Sequence, residues 1–210
     1  MGYSLSWAAL ENGTFDAICA ACDLRPTDKR EEIAPSAVVA AKPPTGWHLV
    51  LYNRHEIENQ KLARLSSGGE VVSCFVEDHV MFSSASGWNR GRQIWKVFHD
   101  CEKGRYHLET TGAVPAAFVE VRKRLTAEQD AAGGEKAVGV YDIPAELAKA
   151  LTGFGHDQGI PGMTGDLYQI LESVDAGGGK QSVLIRLTSM FKGKKKWQIK
   201  SRSYQRSACS

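Results

Sequence analysis

From Glu70 to Gly112 apolar and polar positions alternate with a period of two. Four segments carry the pattern, EVVSCFVE, VMFSSASGW, RQIWKVFHD and RYHLETTG, and the stretches between them, EDH, NRG and CEKG, hold turn-forming residues. Connections this short predict antiparallel neighbours, hence a four-stranded meander over about 70–112. Upstream, GYSLSWAAL places Tyr3, Leu5 and Trp7 on one face of a half-buried strand, and WHLVLYNRHE sets Trp47, Leu49 and Leu51 opposite His48, Val50 and Tyr52. Helical spacing appears in TFDAICAACDL, capped by Thr14, with Phe15, Ile18, Cys19 and Cys22 on one side. It recurs in IENQKLARLSSGG, in VPAAFVEVRKRLTAEQDAA (Phe118, Val121, Leu125) and in PAELAKALTGF, which Pro144 is expected to open. RPTDKREEIAPSAVVAAKPPTG, charged and then Pro-rich, predicts irregular connection. A Gly-rich loop, GHDQGIPGMTG, precedes the short apolar segment DLYQILESV and the break AGGGK. The expected fold class is α+β: a mainly antiparallel sheet packed with helices in one domain, 1–175, followed by a basic extension, 176–210.

Charge divides the chain at the same place. Residues 1–175 hold 17 Lys and Arg against all 24 Asp and Glu, a net of −7; residues 176–210 hold nine Lys and Arg and no acid. No apolar run approaches the roughly 18 residues of a membrane span, and the N-terminus lacks the layout of a secretory signal. MGYSLS fits the myristoylation pattern formally, but its large residues read better as one face of the first strand. Five cysteines at irregular spacing (Cys19, Cys22, Cys74, Cys101, Cys209) suit reduced thiols and a cytoplasmic location.

Several constellations suggest chemistry. VSCFVEDHVMFSSASGW gathers thiol, carboxylates, imidazole and hydroxyls, but strand alternation sends Val72, Cys74 and Val76 to one face and Val71, Ser73 and Phe75 to the other. That is the pattern of a hairpin, with Glu77, Asp78 and His79 at its turn. Cys19 and Cys22 form a C-x-x-C pair late in a helix, where core packing is the expected role. His99, Asp100, His107 and Glu109 flank one tight turn and are the strongest candidates for acid/base or metal-dependent hydrolysis. The glycines around His156-Asp157 do not match the dinucleotide fingerprint, and AGGGKQS fails as a phosphate loop because Gln181 and Val174 occupy two required positions. No complete metal or cofactor motif is present, and none is expected.

In the basic extension Lys192, Lys194, Lys195, Lys196 and Lys200 surround Phe191 and Trp197, a composition that suits nucleic acid, an anionic surface or the chain's own acidic body. The phrases SGWNRGRQIWKVFHD, RYHLETTG and YDIPAELAKALTGFGHD resemble a group of small, functionally uncharacterised bacterial cytoplasmic proteins, over roughly residues 2–157. The resemblance implies no activity and assigns no residue a role. The expected function is therefore a non-catalytic intracellular binding protein, of which an inhibitor or immunity type is one form. The alternative is a hydrolase centred on the His99 and His107 region.

Overall fold

A computed structural model describes residues 2–133, 139–158, 160 and 162–174. The expected basic extension, with its lysines and Trp197, lies outside the described residues. Among the described residues nine strands and four α-helices follow in the order β1 (Ser4–Glu11), α1 (Phe15–Cys22), β2 (Leu24–Glu31), β3 (Val38–Ala41), β4 (Trp47–Asn53), α2 (Asn59–Leu65), β5 (Val71–Glu77), β6 (Phe82–Asn89), β7 (Arg92–Asp100), β8 (Glu109–Gly112), α3 (Ala117–Ala131), α4 (Gly139–Thr152) and β9 (Tyr168–Ser173). The strands form one sheet, ordered β2-β9-β3-β4-β1-β5-β6-β7-β8, with every neighbouring pair antiparallel. The segments expected to make a four-stranded unit, β5 to β8, are one wing of this larger sheet.

Two differences from expectation have separate physical causes. β1 was expected to be half-buried, yet Leu5, Trp7 and Ala9 join a core beneath α3 and α4 while Ala8 and Leu10 join a second core beneath α1 and α2. A strand covered on both faces needs no polar side, so WAAL is a continuous apolar run. The stretch expected to be irregular supplies β2 and β3. β2 is an edge strand, where exposed charges and Pro26 are tolerated and blunt the edge against foreign pairing. The late segment β9 slots between β2 and β3, a long-range pairing that local patterning cannot announce.

The helices follow local chemistry more closely. Thr14 caps α1 by accepting from the Ala17 amide at 3.1 Å. α4 begins at Gly139, five residues before the expected start, and Pro144 lies inside it. A side chain at Gly139 would strike the Leu125 carbonyl, so glycine is what allows α4 to start against α3. There the buried Gln129 of α3 accepts from the Val140 amide at 2.8 Å, satisfying a first-turn donor. The missing Pro144 amide deprives the Val140 carbonyl of its usual helical partner.

Gly87 is a similar close approach: the buried Trp95 indole of β7 occupies the space a side chain would take, beside a register shift between Gly87 and Trp88. Gly87→Ala is expected to destabilise the protein by about 1–3 kcal/mol through overpacking, read as a lowered urea midpoint at unchanged slope.

Candidate functional site: an acidic cleft beside α4

Ile143 and Leu147 are fully buried and press α4 onto the sheet, with contacts to β5, β6 and β7. The Ser83 hydroxyl of β6 donates to the Tyr141 carbonyl at 2.5 Å, fixing the first turn. This leaves Tyr141, Asp142, Glu146 and Lys149 along the rim of a cleft of about 540 Å³. Arg124 and Leu125 of α3 also line it, together with Tyr3, Val76, Asp78 and Met81. After α4 the chain reverses at Gly153, whose φ of +75° is left-handed. Phe154 then buries edge-on against Trp7, centroids 5.2 Å apart, and carries Gly155, His156 and Asp157 to the mouth.

Asp78 is held from two sides. Its Oδ2 accepts from the Tyr3 amide at 2.6 Å and its Oδ1 from the Tyr141 hydroxyl at 2.5 Å. The His156 ring stands edge-on to Tyr3 at 5.0 Å. Glu146 is compensated: Arg124 reaches Oε2 at 3.1 Å and Lys149 reaches Oε1 at 3.2 Å. Among the described residues Asp78, Asp142 and Asp157 have no ion-pair partner. Two cations therefore face four carboxylates, and both are engaged by the same one.

The imbalance registers at Asp142. Burial, then the nearby Glu146, Asp78 and Asp157, push its carboxyl up to about 6. Burial also lowers the His156 imidazole and Lys149 adds to that, although Asp157 and Asp78 pull the other way. Burial first, then the bond to Asp78, raises the Tyr141 phenol, which thus remains a hydrogen-bond donor at neutral pH.

His99, Asp100, His107 and Glu109 do come together, in a different place and with their polar atoms engaged. His99 is buried, and its Nδ1 donates to the His107 carbonyl at 2.8 Å. The Asp100 amide donates to His107 Nδ1 at 3.0 Å, so the His107 proton sits on Nε2, which donates to Glu109 Oε1 at 2.7 Å. Lys103 reaches the same Glu109 oxygen at 2.8 Å; with His107 it holds the carboxyl below its usual range. Asp100 Oδ1 accepts from the Glu102 amide. Burial lowers the His99 imidazole. These contacts brace the β7–β8 turn, and none of the four side chains lines the cleft.

The remaining candidates divide between core and turn. Val72, Cys74 and Val76 share the core under α4, and burial raises the Cys74 thiol. Ser73 and Ser86 bond each other across β5 and β6 at 2.8 Å. Cys22 is buried and Cys19 partly so, and burial raises both thiols. Among the described residues no group of three or more His, Cys, Asp or Glu is placed to hold a metal ion, and no helix is long and apolar enough to cross a membrane.

Comparison with protein-family models, curated proteins and solved structures found no match. The site is therefore interpreted from its own geometry.

Sequence reasoning noted His156 and Asp157 but missed Asp78, Tyr141, Asp142 and Glu146 as one group. A signal existed: Asp142, Glu146 and Lys149 recur at four- and three-residue spacing on one helix face. Because the Asp142 carboxyl is raised in the fold, the folded state holds a proton that the unfolded state has released, and stability falls as pH rises from about 4 to about 6. Asp142→Asn is expected to gain about 1–2 kcal/mol above that window and nothing below it. Urea unfolding at acid and neutral pH checks this; an equal effect at both would refute it. His107→Ala removes the brace of the β7–β8 turn and should cost about 1–2 kcal/mol of stability by the same measurement.

Proposed function

We propose that this chain is a non-catalytic binding protein whose acidic cleft receives a cationic group, a lysine ammonium or an arginine guanidinium, presented by a protein partner. One observation carries the reading: a concave site with three carboxylates that have no ion pair among the described residues, one of them pushed up to about 6. An incoming ammonium or guanidinium would relieve the mutual repulsion and bond the free oxygens, the strong charge-assisted form of hydrogen bond. A basic partner would also be steered toward the net charge of −7 on residues 1–175. An inhibitor or immunity type of binding protein, masking a basic partner, is consistent with that surface.

A second reading has a specific observation in its favour. A carboxyl near 6, beside an imidazole and a phenol in one cleft, has the range a general acid/base requires. It moves the hydrolase alternative from His99 and His107, whose hydrogen bonds are internal, to Asp142 and His156. Binding is preferred because the cleft groups point to a missing counter-charge and no serine, threonine or cysteine stands among the described lining residues.

Calorimetric titration of pentalysine into the full-length protein tests the binding reading. Binding is expected at low salt, weakening as salt screens the site, and falling about tenfold or more in an Asp142→Asn, Asp157→Asn double variant. Affinity unchanged by the double substitution would overturn it.

A further inference from the structure

The cleft and the point where β9 leaves the sheet lie at the same end of the molecule. Ser4 pairs with Glu77, Leu5 with Asn53, Tyr52 with Val38, and Val39 with Ile170. Along that register β9 runs toward the edge where Tyr3 and Asp78 stand, and the Val174 amide donates to the Asp23 carbonyl just past its end. Three strand intervals separate β9 from β1, about 14 Å across the sheet. The sequence then continues through residues 175–210, which lie outside the described residues. Seventeen residues lead from Asp175 to Lys192, an extended reach of up to about 55 Å. The nine residues 192–200 contain five lysines and no acid.

We propose that the basic segment 192–200 of this chain occupies the acidic cleft, with lysine ammonium groups entering between Asp78, Asp142 and Asp157, so that a cationic partner binds by displacing it. The proposal rests on the cleft reading above and adds its resident. The segment carries the charge that the site lacks, and it is tethered close by. Tethering over a reach of this order presents the lysines at an effective concentration of about 1 mM, enough to populate an ionic contact too weak to form between separate molecules. Such an occupant masks the carboxylates until a partner with better geometry or higher local charge competes.

Carbodiimide cross-linking of the dilute full-length protein, mapped by mass spectrometry, gives a direct reading. Amide links from Lys192, Lys194, Lys195, Lys196 or Lys200 to Asp78, Asp142, Glu146 or Asp157 are expected, at a yield independent of protein concentration. Absence of such links overturns the proposal. So does a yield that climbs with concentration, because the lysines would then come from a second copy. In a full-length variant with all five lysines changed to Gln, pentalysine affinity is expected to rise at least about fivefold as the tethered competitor is lost. Equal pentalysine affinity for both forms overturns the tethered occupant and leaves the cleft reading standing. Failure of pentalysine to bind either form overturns both.

Discussion

The placement of α4 on the sheet governs this molecule's chemistry. Ile143, Leu147 and Ala148 are buried to completion in the core under the helix. Burying a side chain of the size of Ile143 or Leu147 is worth about 1.5–3 kcal/mol. That apolar gain brings Tyr141 and Asp142 to a poorly solvated rim, where a carboxylate would not settle by its own preference. Phe154 acts from the other end: its edge-on contact with Trp7 pulls the chain back over β1 and carries His156 and Asp157 to the same hollow. Packing energy holds the charges together against their repulsion.

Local chemistry made several elements legible before the fold. Thr14 and the apolar face of TFDAICAAC specify α1, and the alternation of EVVSCFVE specifies β5, because capping and side-chain period are properties of neighbouring residues. What the sequence concealed depends on distant partners. LRPTDKRE becomes β2 because β9, more than 130 residues later, pairs with it. The start of α4 was missed because Pro144 is normally a first-turn residue, whereas here Gly139 and the Gln129 side chain permit an earlier beginning.

The candidate site was illegible for a related reason. His99 and His107 attracted notice because histidine beside carboxylate is the usual signature of proton transfer. The fold instead uses them as hydrogen-bonding struts, with one ring nitrogen of His99 and both of His107 engaged nearby. Asp78 looked like an ordinary turn acid, and its environment arises only when Tyr3 and Tyr141, 75 residues before it and 63 after it, close on its two oxygens. Polar residues near in sequence satisfied His107, whereas the distant groups gathered at the cleft satisfy Asp78 and Glu146 and leave Asp142 and Asp157 without an ion pair among the described residues.

That contrast bears on how the cleft should act. A carboxylate pair built for catalysis benefits from groups held at different protonation states against a reacting atom. Among the described residues of this cleft the cations Arg124 and Lys149 both engage Glu146, Arg124 pairing with Glu128 as well, and Asp78 already accepts two hydrogen bonds. The oxygens of Asp142 and Asp157 are what the site has left to offer. Below about pH 6 a cation entering there displaces the Asp142 proton, so ligand affinity and the ionisation of that carboxyl are coupled, and the cleft binds more tightly as pH climbs toward about 6 and levels off above it. Electrostatic strain paid for by the apolar seat of α4 is thereby converted into affinity for positive charge.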